Sequence, residues 1–211
     1  MNRKCPRFWR GEGRLSQAVP YLGMGYGSPI KMRGRTLGET PRRDPNGSNT
    51  KRHLTMDRYD IKQGNVDNLD LIKPLWEKLN QLHYDLSLHF KKRFQEMNWD
   101  KRKRKLLQKS KDILFDYVID KNDNKIIGYC ISTIDKEDDK VGEIDSIYID
   151  ESYRKSGLGK QLVERAILWL KSNNTETQKL LVGVGNEQVI DFYKQFDFFP
   201  LHIVLQRIEK K

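Results

Sequence analysis

Cysteine is nearly absent: Cys5 and Cys130 are the only two in 211 residues. They lie far apart, in segments of different character, and neither belongs to a short metal-binding or redox spacing. That excludes a disulfide framework and a cysteine zinc site. Long apolar runs are missing as well, for no stretch reaches the roughly 18 consecutive apolar residues of a membrane-spanning helix. Arg3, Lys4, Arg7 and Arg10 are followed by no apolar segment of secretory length, so nothing resembles a cleavable signal peptide. A cytoplasmic location without membrane attachment is the expectation.

What the chain has in excess is positive charge, 40 Lys and Arg against 29 Asp and Glu, net +11. The excess is not evenly spread. Residues 1–55 hold 12 basic and 3 acidic residues, and 13 of the 22 Gly and Pro, whereas residues 56–211 hold 28 basic and 26 acidic. The first segment favours Arg over Lys by 9 to 3 and the second favours Lys over Arg by 21 to 7. Apolar side chains in the first segment follow neither a period of two nor one of 3.6. Gly23-Met24-Gly25-Tyr26-Gly27 and the Pro-containing stretch 41–47 are rich in breakers, so this leader has little with which to offset ordering entropy. It could be a basic arm for nucleic acid or membrane surfaces, a targeting segment, or an upstream stretch ahead of a native start at Met56. The abrupt reversal of Arg to Lys, followed at once by Met56 and the strand-like Arg58-Tyr59-Asp60-Ile61-Lys62, favours the third. Nucleic acid is therefore not the expected partner, although about six to ten phosphate contacts would suffice for salt-dependent binding.

Residues 56–211 read as one domain. After the opening strand, Leu69, Leu71, Ile72, Leu75, Trp76, Leu79, Leu82 and Leu86 recur at helical spacing, with Pro74 marking a kink or a start. A second helix is expected over Phe94 to Gln108. Ile113 to Ile119 and Ile126 to Ile134 read as a hairpin across the turn at 120–124. Glu143 to Ile149 is a strand, and Gly157 to Lys171 a helix with Leu158, Leu162, Ala166 and Leu170 on one face. Leu180 to Val184 is a short strand. Asn186 suits a helix N-cap ahead of Val189, Phe192, Tyr193 and Phe196, and Phe198 to Ile208 closes the chain as a strand. This order is an α/β or α+β sheet covered by helices.

The most informative segment is Ile147 to Lys160, a strand that passes through a basic, Gly-containing turn into a helix. Consecutive N–H groups at a helix N-terminus converge on an anion, and glycines permit close backbone approach. Arg154, Lys155 and Lys160 add positive charge. The turn lacks the Gly-Lys-Ser/Thr ending of a nucleoside-triphosphate loop and the G-x-G-x-x-G dinucleotide fingerprint. Arg154-Lys155-Ser156-Gly157-Leu158-Gly159 instead resembles the R-x-x-G-x-G pyrophosphate loop of the GNAT superfamily of N-acetyltransferases. Val184-Gly185-Asn186 through Phe192-Tyr193-Lys194-Gln195-Phe196-Asp197-Phe198 resembles that family's later strand, helix and aromatic segment. Asp197 departs from the Gly often found there, yet Asp tolerates a left-handed turn. The resemblance covers about residues 57–211 and implies a mixed, mostly antiparallel central sheet flanked by helices.

It also implies acetyl-CoA as co-substrate, bound by Ile147, Tyr148, Ile149, the loop from Arg154 to Lys160, and Asn186, with an acetyl group passed to a primary amine. An alkyl ammonium has a pKa of about 10.4, so a base or water chain must take its proton. Glu143 and Asp145 are two apart on a strand, face the same way and are candidates, though pairing with Lys or Arg would explain each equally well. By resemblance Tyr193 is the general acid for the departing thiolate, and packing with a hydrogen-bonded hydroxyl is its plainer role. A backbone N–H around Ile147 to Ile149 would stabilise charge on the thioester oxygen. The first two helices would shape the acceptor side, bringing in Trp76, His83, Tyr84, His89, Phe90 and Trp99. His83 and His89, six apart, do not share a helix face, and no catalytic metal is expected. The run Lys101 to Lys105 reads as a solvated face. A homodimer follows only from family habit. The competing class is a non-catalytic module that binds CoA, or nucleic acid through the leader.

Overall fold

The computed structural model describes residues 58–64 and 66–208. The leader and the expected boundary at Met56 lie outside the described residues. A five-stranded sheet runs in the order β1 (Tyr59–Gly64), β2 (Ser110–Asp120), β3 (Lys125–Asp135), β4 (Val141–Ile149) and β5 (Thr177–Leu180). The first four strands are antiparallel neighbours, and β5 joins β4 in parallel. β2 and β3 form the expected hairpin, and the turn uses Asn124 at φ 52°, a left-handed value that Asn adopts readily.

Helices cover both faces. On one lie α1 (Lys73–Leu86), the short α2 (Lys91–Gln95) and α3 (Trp99–Lys109); α4 (Leu158–Ser172) covers the other, and α5 (Ile190–Lys194) follows β5. Two apolar clusters result. Leu162, Val163, Ala166 and Leu170 of α4 meet Val118, Ile127, Cys130 and Ile144. Leu75, Trp76, Trp99 and Leu106 meet Phe115, Tyr129 and Ile131 on the opposite face. Cys130 therefore points one way and its neighbours Tyr129 and Ile131 the other, the period of two that a sheet buried on both faces requires. Burial pushes the Cys130 thiol up to about 12, which leaves it a packing residue rather than a nucleophile.

Several elements depart from the sequence expectation. The first helical stripe opens as a 3₁₀ turn over Val66–Ile72, and the α-helix begins with Pro74 in its first turn. The second expected helix is two, because Asn98 interrupts it and caps α3 by accepting the Lys101 N–H at 2.9 Å. The strand expected over Leu180 to Val184 pairs only up to Leu180. The closing strand over Phe198 to Ile208 is not formed: Leu201, Ile203, Val204 and Leu205 are each more than 80% exposed. Apolar content makes a strand only where an edge is there to pair with it, and Pro200 removes one of the donors.

Candidate active site

The cleft between β4 and β5 is made by a register fault. Ile144 pairs with Ser132 and Ser146 with Ile131, so Asp145 is an extra residue without a partner on β3, a β-bulge. The parallel ladder to β5 ends at Ile144 opposite Leu180, immediately before that residue. Beyond it the two strands part, and a narrow hollow of about 80 Å³ opens between them. Ile144, Asp145, Ser146 and Ile147 line one side, Leu180 to Gly183 and Asn186 another, and Leu79, His83, Val189 and Tyr193 complete it. A larger hollow, about 560 Å³, lies between β1 and α4. Ser156 and Leu158 reach it, but it contains none of the candidate acid or base residues.

The basic turn sits where β4 hands over to α4. After a 3₁₀ turn at Glu151–Tyr153, Lys155 (φ 62°) and Gly157 (φ 86°) both take left-handed backbone. Gly157 is the N-cap position of α4, and a Cβ there would meet nothing within 4 Å, so conformation rather than space calls for glycine. Gly159 is different: its Cβ would stand 3.7 Å from Phe192 Cζ, an ordinary contact that the fold would accept. No acidic residue occupies the first turn of α4, which leaves its amide end electropositive. Ser156 Oγ donates to the Tyr153 carbonyl at 2.6 Å, and Arg154 Nε donates to the Ile149 carbonyl at 3.1 Å with its guanidinium over the Tyr148 ring. Arg154 is thereby held at the end of β4, while Lys155 and Lys160 are exposed.

Glu143 and Asp145 share a face of β4, and both are met there by cations from α3. Asp145, 1% exposed, receives Arg102 Nη2 and Lys109 Nζ, the latter at 2.6 Å. Glu143 is 3.4 Å from the same Lys109. Their plainer expected role, pairing with Lys or Arg, is therefore filled, and one of the two cations, Arg102, belongs to the run 101–105 expected as a solvated face. Tyr193 packs among Phe192, Phe198 and the α4 cluster, and burial pushes its phenol well above the ordinary range. Burial therefore favours the neutral, protonated phenol. Asn186 occupies an N-cap position without capping; its side-chain oxygen accepts Gln188 Nε2 at 2.9 Å, and Glu187 takes the Gly185 N–H instead. Asp197, at φ 63°, adopts the left-handed backbone for which glycine is usual.

His83, which the sequence brought in only as one of six acceptor-side residues and without a role, lines this hollow. The clue was the stripe Leu75, Leu79, His83, in which an imidazole replaces the third apolar residue on one helix face. Its ring stacks on Phe94 with centroids 5.6 Å apart. A Cβ on Gly183 would lie 3.0 Å from His83 Nδ1, so the glycine lets the ring approach the backbone of the β5 side. Gly185, at φ 91°, does the same for the end of α1, where a Cβ would stand 2.7 Å from the Leu86 carbonyl oxygen.

The model of the acetyltransferase (GNAT) family matches residues 76–198. The chain belongs to this family. An uncharacterized N-acetyltransferase of Methanocaldococcus jannaschii is 36% identical over 74 residues, 35% of this chain and 32% of that protein. The chain thus matches about a third of the length of that curated relative. The solved structure of a Pyrococcus furiosus protein named as a putative acetyl transferase superposes with TM-score 0.56 at 17% identity, over 72% of this chain and 99% of that one. The aminoglycoside N-acetyltransferase AAC(6')-Iy in complex with CoA gives 0.51 at 18% identity, over 72% and 95%. An aminoglycoside acetyltransferase from an uncultured soil metagenomic sample, in complex with sisomicin, gives 0.52 at 15%, over 74% and 98%. These likenesses establish the fold: the five-stranded, mostly antiparallel sheet with flanking helices is that of the GNAT family. No helix among the described residues is long and apolar enough to cross a membrane.

Proposed function

We propose that this protein transfers the acetyl group of acetyl-CoA to a primary amine by direct attack of the amine on the thioester. One observation carries the reading: the glycine-bearing turn at the amide end of α4 and the open flank of β4 are consecutive in the chain and lead to Tyr193. The amides of residues 157–160, with Lys155 and Lys160 beside them, suit a pyrophosphate. That Gly159 is not required by the protein's own packing supports close approach of a ligand there. Among the described residues the flank of β4 from Asp145 to Ile149 has no strand against it on the β5 side, so an amide-bearing arm can pair with it as a strand would. An N–H of that stretch would face the thioester oxygen as charge develops, and Tyr193 would protonate the leaving sulfur. Glu143 and Asp145, engaged by Lys109 and Arg102, are better suited to fixing the wall of the cleft than to taking a proton.

The acceptor class is open to direct test, and sisomicin, bound by one of the structural neighbours, is a sensible first probe. Homodimerisation and a reducing cytoplasmic setting belong to the same proposal. The first is supported by the exposed row Leu201, Ile203 and Leu205 together with the edge of β5 that has no strand on it among the described residues. Light scattering would then give twice the chain mass of 25.0 kDa. Calorimetry with CoA, and thiol release from acetyl-CoA with sisomicin, spermidine and a peptide bearing a free N-terminus, test the function. Binding with amine-dependent thiol release is expected. Binding without release would indicate a non-catalytic CoA module, and absence of binding would remove the proposal.

A further inference from the structure

Acetyl transfer to an amine needs a proton acceptor beside the reacting nitrogen, and the two strand carboxylates already hold Arg102 and Lys109. The hollow at the β4–β5 splay contains one other side chain with a basic lone pair, His83. α1 brings it in from the side opposite the sheet's α4 face, one turn after Leu79, which lines the same hollow. Phe94 covers one face of the ring and Gly183 allows it to lie against the backbone. We infer that His83 is the general base that takes the proton from the attacking amine, an assignment that rests on the acetyl-transfer reading above.

The electrostatic surroundings agree. Burial holds the imidazole below its ordinary pKa, and no charged group contributes to that shift. From β4 the titratable group in the hollow is Asp145, already paired with two cations; from α5 it is Tyr193, held neutral by burial; the backbone segment 181–186 carries none. A neutral imidazole in this setting accepts a proton at pH 7 and returns it to solvent readily. In the reaction, the ammonium gives one proton to His83, and the neutral nitrogen attacks the thioester carbonyl carbon. As the new C–N bond forms and the C–S bond breaks, Tyr193 protonates the sulfur and recovers its proton from the second N–H. Ammonium and acetyl-CoA thus become acetamide and CoA thiol, and His83 releases one proton to water.

The test uses the full chain with acetyl-CoA and whichever of sisomicin, spermidine or the free peptide supports thiol release. In His83→Gln, kcat at saturating acceptor should fall by about 10² or more, while CoA affinity and thermal midpoint stay near those of the parent. The parent's kcat should rise with pH through an acidic limb centred below the ordinary imidazole value of about 6.5, and that limb should vanish in the variant. Added imidazole should restore part of the rate to His83→Ala, which a merely structural role would not allow. If His83→Gln is poorly folded, Gly183→Ala, which displaces the ring without removing it, should lower kcat in its place. Retention of the parent rate and acidic limb by a folded His83→Gln would overturn this assignment while leaving acetyl transfer intact. A parent that binds no CoA or releases no thiol with any of the three amines would overturn both.

Discussion

Arg165 of α4 grips Asp116 of β2 through two parallel hydrogen bonds, Nε to Oδ2 at 2.8 Å and Nη2 to Oδ1 at 3.0 Å. The carboxylate is almost wholly buried, and the pairing raises the guanidinium's pKa. The clamp ties the helix that carries the basic turn to the middle of the sheet. Arg165→Met should destabilise the protein by on the order of 3 kcal/mol, because it strands a buried charge. The double variant Arg165→Met with Asp116→Asn should recover much of that loss. Urea denaturation of the four proteins checks it; equal stability of the single and double variants would show that the pair holds nothing.

Gly157 and Gly159 should respond in opposite ways to alanine. At Gly157 the left-handed φ makes Ala cost about 1 kcal/mol of stability. At Gly159, inside the first turn of α4 and with room for a methyl, Ala should leave the fold as stable or raise it by about 0.5–1 kcal/mol. CoA affinity should nevertheless drop by an order of magnitude or so, the methyl standing where the ligand's phosphates approach. Thermal melts paired with calorimetry separate the two effects.

Asp145→Asn should read as a stability variant more than a catalytic one. With the charge gone, Arg102 and Lys109 lose the shared acceptor that draws α3 onto β4. A loss of about 1–3 kcal/mol is expected from the broken charged hydrogen bonds. The rate per folded molecule should change less than tenfold. A folded Asp145→Asn with kcat reduced a thousandfold would return this carboxylate to the role of base.

Tyr193→Phe should slow thiol release by about 10² while CoA affinity changes little, since the ring stays and only the donor is lost. Because burial raises the phenol's pKa, the parent should show no decline of kcat between pH 8 and about pH 10. The same shift has a consequence for folding. A group whose folded pKa lies above its unfolded value holds more protons when folded, so this stability is complete below about pH 10 and fades above it. Tyr193→Phe should weaken that alkaline loss, which a series of denaturant melts against pH would record.

The turn from Arg154 to Gly159 was legible because its chemistry is local: positive φ, amide groups and charge all come from consecutive residues. The hairpin and the buried face of α4 were legible for the same reason, through periods of two and 3.6. The cleft was not, for it depends on one unpaired residue, Asp145, and a bulge leaves no mark in a hydropathy pattern. His83 was hidden differently: its significance arises from Gly183, a hundred residues away in the chain, and each alone is unremarkable. The segment after Phe198 has the composition of a strand, but composition does not say whether an edge is available.

The parting of β4 from β5 after Ile144 also bears on how fast a ligand can arrive. The flank from Asp145 to Ile149 is already separated from its neighbour, so an extended chain entering there displaces water and breaks no ladder bond. Among the described residues no strand has to slide. Association should then be single-exponential and first order in ligand up to high concentration, at the rate set by encounter and desolvation. The bulge at Asp145 thus exchanges a few backbone hydrogen bonds of the empty protein for a doorway that stands open.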